Sequence, residues 1–175
     1  MTAAVEVPAV KSGSEHCELL KSYAARLLGN ARAHYAMSAK LERQETRLTV
    51  TLIFFSVLTA SLSTANWMTK DGTMSITVSV FSILTVALAA VQYALKQGEK
   101  SGLHKITGSQ YAGIRREIEF LILEYEKTSN IKMEDVRMIF DRININSNFA
   151  PTVDQKEWNC HNDIARLRKD VESKQ

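Results

Sequence analysis

Along most of the chain, apolar residues recur every three to four positions, the period of helices that bury one face. Leu19, Leu20, Tyr23, Leu27 and Leu28 form a first stripe, and Ala31, His34/Tyr35, Ser38, Leu41 and Leu48 continue it. A second runs through Leu103, Ile106, Gln110, Ile114, Ile118, Leu121 and Tyr125. Between the two the periodicity gives way to two largely apolar runs without charge. Arg47 and Lys70 enclose 22 residues without a charge, and Asp71 and Lys96 enclose 24 more. A soluble-bundle helix of that length carries a charged face, and neither segment has one. Leu48–Met68 and Thr73–Leu95 each contain the roughly 20 residues needed to cross ~30 Å of hydrocarbon. Neither contains Pro, so helical backbone bonds close internally, as lipid requires. Lys70-Asp71-Gly72 is so short a link that the two spans must fold back as an antiparallel hairpin.

The expected fold is therefore all-α: a two-helix transmembrane hairpin, extended by a cytoplasmic helical stalk and followed by short helices. The expected segments are a flexible tail over 1–13, a cytoplasmic helical region over 14–47, a first span over 48–69 and a turn over 70–72. A second span over 73–95, a stalk helix over 96–130 and a C-terminal helical region over 131–175 follow. Ser14 is a candidate N-cap, and Gly29-Asn30 a place for the first helix to end or kink. Met133–Asn144 carries Val136, Ile139, Phe140 and Ile143 on one side. Pro151-Thr152 breaks the chain, and Asp154 caps a last helix over 155–172 bearing Trp158, Ile164, Leu167 and Val171. With a turn near residue 70, residue x lies opposite residue 141 − x. That rule sets Glu45 near Lys96, Arg43 near Glu99 and Glu42 near Lys100, and joins Leu20, Tyr23 and Leu27 to Ile114, Ile118, Leu121 and Ile122.

Lys and Arg counts orient the hairpin. Lys40, Arg43 and Arg47 precede the first span, Lys96, Lys100 and Lys105 follow the second, and the turn offers Lys70 alone. Six against one places both termini in the cytoplasm. Residues 1–47 show no apolar run beside a small-residue cleavage site, so no cleavable signal peptide is expected. Trp67 and Tyr93 sit near span ends as interface anchors. Overall composition, 45% apolar and 23% charged, hides this division. Outside the spans and their link, 127 residues hold 39 charges.

Polar residues recur within the spans. Thr49, Ser56 and Ser63 repeat every seven residues, as do Thr59 and Asn66, placing all five on one broad helix face. Ser75, Ser79 and Ser82 share a face of the second span. Two readings stand. Small and hydroxylated residues pack helices together in membranes, and a hydroxyl stripe lines an aqueous path when several chains assemble. Packing is favoured, and assembly makes the two compatible. Gly98 and Gly102, ending the row Ala90-Ala94-Gly98-Gly102, are close-packing positions first and hinges second.

No phosphate-binding loop, zinc-protease motif or nucleophile elbow is present. No catalytic residue, cofactor or metal is expected, and the reading is of a non-enzyme. His16-Cys17 and Cys160-His161 lack zinc-finger spacing, so both cysteines read as reduced cytoplasmic side chains of unassigned role. Arg115-Arg116 and Arg166, Arg168 and Lys169 interleave with acids, and the net charge is only +3, so nucleic acid is not an expected partner. The short link also excludes a potassium-channel filter or an extracytoplasmic receptor domain.

The lead-in "ARAHYAMSAKLERQETRL", the tight hairpin, the following "KQGEKSGLHKITGSQYAGIRREIEFLI" and the tail "NFAPTVDQKEWN" resemble the SLATT family, the SMODS and SLOG-associating two-transmembrane effector domains. The resemblance covers about Leu19 to Ala165. It implies a homo-oligomeric effector of the bacterial inner membrane in an antiphage conflict system, forming a pore or disrupting the bilayer. It also implies a trigger from a sensor protein or a cyclic nucleotide made by a companion enzyme, since no sensor domain is expected in this chain. It carries over no catalytic residues. The alternative is a membrane-anchored scaffold whose cytoplasmic helices recruit partners.

Overall fold

A computed structural model describes residues 13–69, 72–128 and 132–161. It comprises α1 (Gly13–Thr69), α2 (Gly72–Leu95), α3 (Gln97–Thr128), α4 (Met133–Phe149) and α5 (Gln155–His161). Among the described residues the fold is all-α, with two helices long and apolar enough to cross a membrane. The tail over 1–12, Lys70-Asp71 in the turn and the end of the predicted last helix, 162–172, lie outside the described residues.

Four local features differ from expectation. Helix α1 does not end at Gly29-Asn30 but continues for 57 residues. A helical Gly costs about 1 kcal/mol relative to Ala, and here Gly29 is buried, so tertiary packing outweighs the local cost. Ser14 lies inside α1, which opens at Gly13, rather than serving as its cap. Helix α4 extends to Phe149, because only at Ala150, extended before Pro151, does the proline ring forbid the helical conformation. The fourth is a break at Lys96 between the second apolar helix and α3. Lys96 adopts φ 46°, a left-handed conformation costing an ordinary L-residue roughly 1–2 kcal/mol.

The chain divides into two compact units, one of Ser38–Leu103 and one of the flanking segments up to Met37 and from His104. In the flanking unit, Leu20, Ala24, Leu27 and Ala31 of α1 pack with Tyr111, Ile114, Ile118 and Ile122 of α3, and Ile139 of α4 joins them. Leu20, Leu27, Ile118 and Ile122 are essentially fully buried. The alanines leave room for this close packing. Tyr23 meets Phe140 edge to face at 4.7 Å, which seats α4. Asp154 accepts the backbone N–H of Lys156 and so opens α5 as a cap.

The Ser38–Leu103 unit is an antiparallel helix pair. Rising numbers on α1 meet falling numbers on α2 and α3: Ser38 with Ser101, Thr49 with Gln92, Phe55 with Phe81. The half-buried positions trace a seam through Leu48, Thr49, Leu52, Phe55, Leu58, Thr59 and Leu62. Met74, Thr77, Val78, Phe81, Ser82, Thr85, Leu88 and Gln92 form its counterpart on α2, where no residue is buried.

Candidate functional site

The apolar hairpin is where the sequence concentrates its candidates, and the structure separates them by environment. Thr49 lies on the seam, where Gln92 donates Nε2–H to its Oγ1 at 2.8 Å. Thr59, Asn66 and Ser82 are half-buried, whereas Ser56, Ser63, Ser75 and Ser79 are exposed. The five-residue face of α1 is wider than the contact with a single partner helix. At ~100° per residue, Ser56 and Ser63 lie within about 40° of Thr49, yet both stay exposed while Thr49, Thr59 and Asn66 are half-buried.

Most of these hydroxyls turn inward on their own helix. Ser56 donates to the carbonyl of Leu52, Thr59 to Phe55, Ser79 to Ser75 and Ser82 to Val78, all at 2.8–2.9 Å. Back-bonding to residue i−4 satisfies the hydroxyl without a partner helix, so an apolar solvent tolerates it. Gln92 instead reaches across to the other helix. The outer faces are apolar: Val50, Ile53, Phe54 and Val57 on α1, and Ile76, Val80, Ile83 and Val86 on α2, are each 58–70% exposed. Trp67 and Tyr93 are about 80% exposed at opposite ends of the pair.

Where the pair leaves the charge-free region, Glu45 lies over the first turn of α3. A Cβ built on Gly98 meets its Oε1 at 2.6 Å, so the glycine admits the carboxylate. A negative group near a helix N-terminus complements the macrodipole. Gly102, one turn on, faces open space. Lys96 pairs within its own helix end, with Glu99 at 3.4 Å. Ser38 and Ser101 share a buried bond of 3.0 Å between their hydroxyls, and Ser101 also reaches the Ser38 carbonyl.

The flanking unit holds a buried polar layer. His34 of α1 and His104 of α3 approach through their Nδ1 atoms at 3.0 Å, each less than 5% exposed. One ring donates and the other accepts, so at least one must be neutral. Burial lowers both pKa values, and His104 lowers that of His34 further, to about 4. Tyr111 lies against His34 with ring centres 5.6 Å apart. Burial pushes its phenol pKa up, while a hydrogen bond with Ser147 pulls the other way. Gly108 makes room here, since an added Cβ would sit 3.3 Å from the Ala31 carbonyl oxygen.

In the sequence His34 stands on a packing stripe, and His104 carries no signal of its own. The signal was available in the antiparallel rule, which sets His34 opposite residue 107, within a turn of His104. Cys17 is buried, its pKa raised by burial, and Cys160 is exposed; both are free thiols. Among the described residues, no three His, Cys, Asp or Glu side chains converge as a metal set. Neither a protein-family model, nor a curated protein, nor a solved structure matches this chain.

Proposed function

We propose that the chain is a membrane effector: an oligomer in the bacterial inner membrane, with both termini cytoplasmic, which opens a pore or disrupts the bilayer when triggered. The observation that carries the membrane part is the charge-free, largely apolar exterior of the paired helices, where Val50, Ile53, Phe54, Val57, Ile76, Val80, Ile83 and Val86 are each 58–70% exposed. The charged helices beyond it then form a cytoplasmic stalk. The antiphage role rests on the resemblance of the hairpin and its flanking segments to SLATT effectors. A sensor protein or cyclic nucleotide supplies the trigger in that reading. One hairpin encloses no channel, so a path for ions needs several copies. Ser56, Ser63, Ser75 and Ser79, exposed on the single pair, are the polar groups such an assembly would turn inward.

Membrane depolarisation after activated expression tests this reading, with wild type compared against Ser56→Leu, Thr59→Leu and Ser63→Leu. Loss of potential in wild type, blunted in the variants, is expected. An unchanged potential in activated wild-type cells overturns it. A scaffold role is favoured by exposed Phe120 and Phe149, 68% and 85% accessible outside the spans. Replacing both spans with an unrelated hairpin preserves a scaffold and abolishes a pore.

A further inference from the structure

At the end of the hairpin where charges resume, α1, α2 and the start of α3 enclose an open groove of about 480 Å³. One wall is apolar, from Leu48, Leu52 and Ala89, and the other is polar, from Glu45, Lys96 and Gln97. Side chains of both characters meet here because the charge-free span ends within this turn of helix. Two features set the groove apart from an ordinary helix crevice. Lys96 takes its left-handed conformation here, which interrupts α2 and opens the first turn of α3 beside Glu45. The Oε1 of Gln97, a residue that lines the groove, is also buried without a hydrogen-bond partner, so a donor in the groove meets it once the Gln97 side chain turns outward. A buried unpaired acceptor destabilises the fold, so a donor that reached it would be well held.

We propose that this groove binds one phospholipid whose headgroup carries a primary amine and a phosphate. Its acyl chain lies along Leu48, Leu52 and Ala89, its phosphate reaches Lys96, and its ammonium donates to Glu45 and Gln97. This rests on the membrane reading above and names the lipid that the reading leaves open.

Charge decides among lipid classes. Glu45 and Glu99 line the groove with Lys96, so acceptors outnumber cations. An anionic headgroup without an amine meets two carboxylates. A choline headgroup brings a positive charge but no N–H for the Gln97 oxygen. An ammonium has three donors and forms short charge-assisted bonds with carboxylates. The Lys96–Glu99 pair is largely exposed, with side chains 59% and 66% accessible, so little is lost when Lys96 turns to a phosphate. Tyr93, also lining the groove and 81% exposed, sits at the depth where aromatic rings meet headgroups.

The test uses the full-length protein in detergent, titrated with phosphatidylethanolamine, phosphatidylcholine or phosphatidylglycerol of identical acyl chains. Lipid retention by native mass spectrometry and the shift in Tm are read together. Phosphatidylethanolamine is expected to be retained one per chain with roughly tenfold preference, the scale of one charge-assisted bond. Glu45→Gln and Gln97→Leu each reduce that preference, leaving the weaker phosphatidylcholine signal unchanged. Equal retention of the ethanolamine and choline lipids by wild type overturns the proposal, even if both variants fail to fold. Preference for phosphatidylglycerol overturns it as well. Alkaline carbonate extraction of cell membranes separates the two levels. Release of the chain sinks the membrane reading, whereas retention with no lipid preference sinks only the assignment of this groove.

Discussion

His34 and His104 face one another through Nδ1 atoms 3.0 Å apart, on helices whose sequence positions differ by 70. The contact needs a donor on one ring and a lone pair on the other. Tyr111 is the further titratable ring against His34, and its pKa is raised, so it stays neutral as the histidines titrate. Both histidine pKa values are depressed in the folded protein. The unfolded chain therefore binds more protons below its ordinary histidine pKa of about 6.5, and stability rises with pH through that window. The contribution is present above about pH 6.5 and is lost as pH falls toward the folded-state value of about 4 for His34. Denaturant unfolding of the detergent-solubilised protein should show lower stability at pH 5 than at pH 7.5. A His34→Gln variant should flatten that dependence.

Ile118 and Leu27 are essentially fully buried between α1 and α3. Truncating either to Ala removes apolar burial and leaves a cavity, at a cost of roughly 2–5 kcal/mol. Circular dichroism melts should show the loss. A shift no larger than that of an exposed control, Leu123→Ala, would contradict the packing described here.

Gly108 and Gly113 lie on the same helix in opposite circumstances. A methyl group at Gly113 meets nothing within 4 Å, while at Gly108 it presses on the Ala31 carbonyl oxygen and the Tyr35 ring, both at 3.3 Å. Gly113→Ala should therefore stabilise by up to about 1 kcal/mol through helix propensity. Gly108→Ala should lose that gain to the forced separation of α1 and α3. A Tm that rises equally in both variants would show that the two helices approach less closely.

Lys96 keeps φ at 46° without being a glycine. Lys96→Gly relieves the steric cost, offset by greater freedom of the unfolded chain, and should be near neutral. Lys96→Val adds a β-branch to a left-handed position and should destabilise by about 1–2 kcal/mol or more. Equal melting temperatures would mean that the helix does not break at this residue.

Gln92 supplies the cross-helix bond to Thr49. Polar bonds between membrane helices contribute about 0.6 kcal/mol on average. In the proposed membrane setting, Gln92→Leu should thus weaken hairpin association only slightly and leave insertion intact. A collapse of expression or insertion would assign Gln92 a larger role than pairing.

Much of the architecture was legible from pattern alone. Helix-period stripes marked the α1 and α3 core, and the two charge-free runs marked the apolar helices, because period and charge are local properties of sequence. Where neighbouring elements compete with local preference, sequence was a poorer guide. Gly29-Asn30 carries a stop signal that burial overrides, and Lys96 carries none although the helix breaks there. The broad hydroxyl face likewise has no address until a partner helix defines the seam, which takes Thr49 and leaves Ser56 and Ser63 outside.

Sequence by itself determined that this is a helical protein with two uncharged segments long enough to span a bilayer, joined too tightly for any arrangement but a hairpin. Chain connectivity and the cost of burying charge suffice for that. Only the tertiary structure decided that His34 meets His104, that Glu45 rests over Gly98, and that Ser82 lies on the seam while Ser56, Ser63, Ser75 and Ser79 stay exposed. Those outcomes depend on axial register and rotation between helices, which are set by the summed packing of many side chains rather than by any one of them.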